Sequence, residues 1–425
     1  MEALFILVAL FALMFLGFPI GIATAISTGL TIVFFTPEIP LQIIAQKAVS
    51  GLESFPLLAI PFFMYAGNLM GSGGISRRLA DFAESIVGAL AGGLALVTIL
   101  ASTFFAAISG SAPATVSAIG SIMIPEMKKR GYATSFSAAV SACAGTIGVL
   151  IPPSIPFVVY SIVAKTSIGD MFIAGIIPGL MFSAVLMGMA FVISKKRGYV
   201  GKPRELRKPL WIAFKEAIWA LLAPVIILGG IYTGAFTPTE AAVVSCVYCA
   251  FIGVFVYKEM TWKDVFSAAK LAGQLNGITM YGMGFSMAFG FYLAFQTIPQ
   301  YLLEQVLAIT TNKILLLVAL NIFFLFLGCF MDNIAATIIL TPVLLPLMLK
   351  LGVDPIQFGV IMTVNLSIGF VTPPFGVNLN VASALTKVPI VTIAREAVPL
   401  ILVMIIALVF ITYIPWCSLG LLGLK

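Results

Sequence analysis

Apolar runs of roughly 17 to 25 residues recur from one end of the chain to the other, and each is long enough to cross a hydrocarbon core as a helix. No sustained alternation of period two accompanies them, which argues against a β-barrel. Residues 3–35 are apolar throughout, about 50 Å at the helical rise and too long for one straight span, so a break at Gly17 and Pro19 is expected. Further spans are expected near 56–72, 133–164, 170–193, 213–235, 239–257, 273–297, 356–385 and 389–415. Two more apolar stretches, 89–127 and 314–349, are interrupted by "SGSAP" and "MDN". The piece "ISRRLADFAESIVGAL" is amphipathic. The "GSGG" before it, residues 71–74, lacks the Lys-Ser/Thr ending of a phosphate cradle.

Breaker residues repeat across the two halves. At a constant offset of 221 residues, Ser111 pairs with Asp332, Ala114 with Ala335, Pro125 with Pro346, Gly131 with Gly352, Gly148 with Gly369, Pro152-Pro153 with Pro373-Pro374, and Pro178 with Pro399. One ungapped register over prolines and glycines indicates a duplicated unit. The expected organisation is N-terminal scaffold helices and an amphipathic arm (1–88), a first repeat (89–193), a basic loop (194–212), central scaffold helices (213–311) and a second repeat (312–425). Each repeat holds a hairpin (89–127; 314–349), a broken helix (133–164; 356–385) and a further helix (170–193; 389–415).

Composition fixes the class. Of 425 residues, 61% are hydrophobic, 9% are charged and none is His, so the chain reads as an all-α polytopic membrane protein. The net charge of +7 reflects topology and not nucleic acid, because the loop from Ser194 to Pro209 alone holds seven of the 23 basic residues and is expected in the cytoplasm. Five basic residues, Arg77, Arg78, Lys128, Lys129 and Arg130, flank the first hairpin; Lys313 and Lys350 flank the second. The hairpins should therefore be re-entrant from opposite faces, and the repeats inverted. The five Cys residues read as packing residues, and Thr237-Pro238 with Glu240 reads as a capping box.

Interrupted backbone in lipid is tolerated only where protein or a polar cavity satisfies it. Inverted repeats with discontinuous helices mark secondary transporters, in which half-helix N-termini face anionic substrate groups and unwound carbonyls bind Na⁺. The tips supply Ser109, Gly110, Ser111 and Thr115 in one repeat and Asp332, Asn333 and Thr337 in the other, all hard oxygen donors. Each tip should meet the break of its own repeat, Thr146 to Pro153 and Asn365 to Pro374. Asp332 is the costliest residue to hold inside a span and hence a functional candidate.

The segments "GFPIGIA", "SGSAPATVSAIGSIMIPEMKKRGY", "GTIGVLIPPSIPFVVY", "GAFTPTEAAVV", "MDNIAATIILTPVLLPL" and "GFVTPPFGVNL" together resemble the large membrane subunit of tripartite ATP-independent periplasmic (TRAP) transporters, over almost the whole chain. The resemblance implies an inverted-repeat elevator transporter driven by at least two Na⁺. It also implies a small four-helix membrane subunit, expected as a separate chain, and a periplasmic substrate-binding protein, at a bacterial inner membrane. Carried over by motif, the Na⁺ candidates are Ser109, Gly110, Ser111, Gly145, Val149 and Pro152, then Gly328, Asn333, Gly369, Thr372 and Pro374. Substrate candidates are Ser111 and Asp332 between the tips, with Thr115 and Asn378. The motifs lean toward sialic acid, with C4-dicarboxylates as the alternative. Competing readings are a self-sufficient divalent-anion/Na⁺ symporter, a channel, and an intramembrane enzyme using Asp332.

Overall fold

The computed structural model describes residues 2–201, 203 and 207–423; Lys202, Arg204, Glu205 and Leu206 of the basic loop lie outside the described residues. Helices α1 (Glu2–Phe15) and α2 (Ile20–Phe35) part at Gly17, at φ +86°, and Pro19. Helix α3 (Gln42–Ser50) and a tight turn at Phe55–Leu58 lead to α4 (Ala59–Ser72) and the amphipathic α5 (Ile75–Val87). The first hairpin is α6 (Gly93–Ser109) and α7 (Ala112–Lys129). The first broken helix is α8 (Thr134–Gly145), a turn at Thr146–Val149 and α9 (Ile155–Ala164), followed by α10 (Ile168–Lys196). Central helices are α11 (Leu210–Tyr232), α12 (Pro238–Phe251, then a wide turn to Val256), α13 (Trp262–Phe295) and α14 (Ile298–Ile309). The second hairpin is α15 (Lys313–Gly328) and α16 (Asn333–Lys350), and the second broken helix is α17 (Pro355–Gly369) and α18 (Val377–Thr386). Helices α19 (Ile390–Tyr413) and α20 (Trp416–Leu419) close the chain. Among the described residues there is no strand, and seven helices are long and apolar enough to cross a membrane.

Local chemistry explains the ends. Thr237 accepts from the Glu240 amide while the Glu240 carboxylate accepts from the Thr237 amide, the capping box that starts α12. A second box, Thr261 with Asp264, starts α13 eleven residues before the expected 273, because Lys263, Asp264 and Lys270 mask a helix that hydropathy alone misses. The five cysteines are buried, and the Cys246 thiol donates to Phe62 O.

Contacts at the helix ends separate two faces. At one, the Arg197 guanidinium after α10 pairs with Glu396 on α19 at 2.7 Å, and the Tyr199 hydroxyl accepts from the Ala133 amide beyond the first hairpin. At the other, the Tyr160 hydroxyl on α9 donates to Pro355 O, Tyr413 at the end of α19 donates to Ile314 O, and Lys313 donates to Gly352 O. The open end of the first hairpin thus lies with Arg197, and that of the second lies with Tyr413. The two hairpins enter from opposite faces.

The repeats also interlock. Helix α9 of the first packs on α16 of the second, while α18 of the second packs on α7 and α8 of the first; α10 and α19 cross over likewise onto α17 and α8. Each broken helix therefore has one half in its own repeat and the other wedged against its counterpart. The offset of 221 also carries α5 onto α14, a repeated arm that hydropathy did not mark.

Candidate functional site

The first tip turns at Gly110, whose φ of +63° suits glycine and where a Cβ would lie 2.5 Å from Pro153 O. This contact brings the tip onto the break: the Ile155 amide donates to Gly110 O at 3.3 Å. Close by, the Ser109 and Thr115 hydroxyls are 3.1 Å apart, Thr115 donates to Ser111 O at 2.8 Å, and Ser154 donates to Val149 O at 2.6 Å. A Cβ on Gly148 would lie 2.5 Å from the Thr115 hydroxyl and 2.7 Å from Ser111 O. Ser109, Gly110, Ser111, Val149 and Pro152 are thereby gathered around one tip-to-break junction. Gly145 stands one turn earlier, against Val116 and the Asn378 amide.

The second junction is built on two glycines. A Cβ on Gly369 would fall 2.2 Å from the Gly328 carbonyl carbon, and one on Gly328 would fall 3.1 Å from Gly369 Cα, so α15 and α17 meet backbone to backbone. Thr372 donates to Ile368 O at 2.9 Å, and the buried Asn333 side chain reaches Thr363 O at 3.4 Å and accepts from Thr337 at 3.3 Å. Pro374 follows in a cis Pro373-Pro374 bond, matched by cis Pro152-Pro153. Both junctions offer carbonyl, hydroxyl and amide oxygens. That donor set fits Na⁺, and Thr363 Oγ1 and Asn378 Oδ1 are buried there without a hydrogen-bond partner.

Between the tips lies a cavity of about 680 Å³. Four helix N-termini open onto it: Ser111 to Ala114 of α7, Asn333 to Ala335 of α16, Ile155 and Pro156 of α9, and Val377 of α18. The opposite wall is Met64, Gly67 and Asn68 of α4 and Leu271 to Met283 of α13. Among the described residues, none lining it is Lys or Arg. Aligned peptide dipoles leave each N-terminus partly positive, so the cavity suits an anion without a fixed cation. The Asp332 carboxylate is exposed to this cavity and also caps α16, accepting from the Ile334 amide at 3.0 Å; Ser111 makes no such cap on α7.

Two substrate candidates stand away from the cavity wall. Thr115 is buried and bonded to Ser109 and Ser111, and Asn378 is buried with its amide donating to Ala142 O at 2.9 Å. Sequence reasoning missed Asn68, Ser117 and Thr279, which do line it. A polar residue inside the apolar span 56–72 was the signal for Asn68. A second, polar cavity of about 360 Å³ continues from the first through Asn68 and Ser117 to Ser72, Ser121, Asp264 and Ser267. It leads toward the face of Arg78 and Glu259, which pair at 2.7 Å.

Residues 7–417 match the family described as "Tripartite ATP-independent periplasmic transporter, DctM component". The chain belongs to this family. It is the large permease component of a TRAP transporter and a multi-pass membrane protein. Among curated DctM relatives, the isethionate TRAP transporter permease protein DctMQ of Oleidesulfovibrio alaskensis is 46% identical over 97% of this chain; the chain spans 65% of that relative's length. The C4-dicarboxylate TRAP transporter large permease protein DctM of Pseudomonas aeruginosa is 42% identical over 93% of this chain and 92% of its own. The sialic acid TRAP transporter large permease protein SiaM of Vibrio cholerae is 39% identical over 96% and 95%. In fold, the chain is similar to the Alcanivorax borkumensis YdaH transporter, with a TM-score of 0.65 at 17% identity over 89% of each chain.

Proposed function

We propose that this DctM-family chain takes up a small organic anion together with Na⁺, at least two ions per cycle, across a bacterial inner membrane. The observation that carries the reading is the cavity between the two hairpin tips, where four helix N-termini converge with no lysine or arginine among the described lining residues. The anion rests on the backbone amides of α7, one of the two N-termini there without a side-chain cap, with the Ser111 hydroxyl as an added donor. Asp332 faces donor groups of the substrate on the opposite side. The two junctions, Ser109 to Val149 and Gly328 to Thr372, take the Na⁺ ions and hold the tips closed on the breaks. The interlocked repeats then move as one body against the α4 and α13 wall, an elevator motion, and the polar cavity through Asn68 and Asp264 is the release route in this state.

The partners of this reading are a small membrane subunit and a periplasmic binding protein that delivers the anion. Isethionate, C4-dicarboxylate and sialic acid all occur in relatives' names, so sequence identity does not single out the sialic acid to which the motifs lean. Radiolabelled uptake into proteoliposomes holding this chain and its small subunit tests the proposal, with each anion offered with and without an inward Na⁺ gradient and a matching binding protein. Uptake that needs both is expected. Uptake with Na⁺ but no binding protein would make the chain a self-sufficient symporter, and electroneutral uptake of a monoanion would contradict coupling to two Na⁺. Each net charge moved inward draws about 2.3 kcal/mol per 100 mV of potential.

A further inference from the structure

The second repeat contains a buried polar network with no counterpart at the equivalent positions of the first. Asn365 on α17 donates to Asn321 Oδ1 on α15 at 2.8 Å and to Ile361 O at 2.7 Å. Asn321 in turn donates to the Thr412 hydroxyl on α19 at 3.1 Å, and Gln357 donates to Thr412 O at 3.1 Å. All four side chains are buried, Asn365 completely, and its Oδ1 has no hydrogen-bond partner. At the offset of 221, the equivalent residues of the first repeat are Leu100 for Asn321, Ala144 for Asn365, Phe191 for Thr412 and Phe136 for Gln357. At these positions the packing is therefore apolar in one repeat and amide-bonded in the other; the first repeat has instead a buried bond between the Thr103 and Ser183 hydroxyls, 2.8 Å apart, from α6 to α10.

The placement of this network is specific. Asn365 lies one helical turn before Gly369, and Asn321 lies two turns before Gly328, on the same two helices whose backbones meet at that glycine pair. Apolar packing tolerates small slides of one helix along another. A directional amide-to-amide bond fixes both axial register and rotation. A slide of even a fraction of an ångström would matter at a junction where the two backbones touch and where carbonyl oxygens must keep their spacing to hold an ion.

We infer that Asn321, Asn365 and Thr412 are positioning residues for the second cation site, setting the register of α15 on α17 at Gly328 and Gly369, whereas among the described residues no side-chain hydrogen bond ties α6 to α8 at the first. This inference rests on the Na⁺-coupled reading above. It makes the two sites unequal in Na⁺ response, because at the second the hairpin helix is locked to the broken helix by an amide-to-amide bond.

The test is the Na⁺ dependence of uptake and the Na⁺-induced rise in melting temperature, both measured on the full chain with its small subunit. The double variant Asn321→Leu with Asn365→Ala installs the first repeat's own residues. It is expected to raise the Na⁺ concentration for half-maximal uptake about five-fold or more, and to flatten the Na⁺ dependence toward a single-ion response. Its melting temperature without Na⁺ should stay close to that of the unaltered protein. Thr412→Ser, which keeps the hydroxyl, should leave the half-saturation unchanged. Thr412→Val should shift it at least two-fold and serves as the readout if the double variant does not fold. A folded double variant, or Thr412→Val in its place, with Na⁺ half-saturation within two-fold of the original overturns the inference and leaves Na⁺ coupling intact. An unaltered protein that ignores Na⁺ overturns both.

Discussion

The two hairpins share a register but not a construction. In the first, α6 and α7 pack along each other and the tip turns through Gly110, with Ser111 leaving α7 uncapped. In the second, α15 and α16 scarcely touch: α15 lies along α17, while α16 is gripped by α9, α13 and α14, and Asp332 caps its N-terminus. The gap this leaves beside α1 and α14 is an apolar cavity of about 220 Å³. Duplication has thus kept the oxygen-bearing junctions while the means of holding them diverged. The first hairpin is a pair of mutually packed helices with an open anion-facing end, and the second is a pair of separate helices held by other elements and closed by its own charge.

The largest test of this difference is at the junction glycines. A Cβ at Gly369 would strike Gly328 backbone at 2.2 Å, and neither helix has a flexible atom to withdraw. Gly369→Ala is expected to reduce uptake at least about a hundred-fold, because a 1 Å misplacement at a reacting centre costs on that order. Gly148→Ala meets a rotatable hydroxyl at 2.5 Å as well as Ser111 O, so a loss nearer ten-fold is expected. Gly145→Ala meets first the Val116 methyl at 2.2 Å, which a rotamer change moves away, and should lose least of the three. Initial uptake rates, normalised to folded protein in the membrane, give the order. Gly369→Ala at more than a tenth of the original rate would remove the claim that the second junction is the stricter one.

Charge at the tips is the next test. Asn is as good a helix cap as Asp, so Asp332→Asn keeps the start of α16 and removes only the charge facing the cavity. Uptake efficiency is expected to fall about ten- to hundred-fold with little change in melting temperature, since a charge retained inside the membrane carries a cost that a structural cap alone does not require. Ser111→Ala loses one hydroxyl from a terminus that it does not cap, so a loss of about three-fold in apparent affinity is expected, near the low end for a single hydrogen bond. If the two variants behave alike, the tips are equivalent and the asymmetry is only structural.

Sequence showed what breaks helices and missed what bridges them. Gly17, Pro19, the "SGSAP" and "MDN" tips and the two Pro pairs interrupt apolar runs, and each interruption appears where expected because a missing amide, a positive φ or, at "MDN", the Asp332 side-chain cap acts locally. The register at 221 likewise survives folding, since it was carried by those same residues. Apart from the polar Asn68 inside an apolar span, the wall of the cavity was out of reach. Asn68, Ser117 and Thr279 come together from three distant segments, and nothing local says which face of α4 or α13 turns inward. Helix α14 was hidden for a related reason. With Gln300, Glu304 and Gln305 along it, its polarity masks its correspondence to α5.

The arms extend the comparison outside the membrane, where the smallest effect is expected. Helix α5 is tied by ion pairs: Arg78 to Glu259 at 2.7 Å, with its guanidinium 3.7 Å from the Tyr257 ring, and Asp81 to Lys208 at 2.9 Å, which also meets Glu216 of α11 at 2.6 Å. Among the described residues no ion pair reaches α14. Glu216 first and Asp81 next hold the Lys208 ammonium above the usual lysine range. A raised pKa means that the stabilisation is present in full below the unfolded value of about 10.4 and is lost as pH rises through the folded value. Between pH 6 and 9 the contribution should therefore be flat. Lys208 is 46% exposed, so screening limits the pair to about 1 kcal/mol or less. Lys208→Met should lower the melting temperature slightly at low salt and less at 0.5 M salt, where the screening length shrinks toward a few ångströms. Glu304→Gln on α14, the matching arm, should change nothing at either salt concentration. A salt-sensitive loss at both arms would mean that the two halves are braced alike at the membrane surface, and the asymmetry would then be confined to the hairpins.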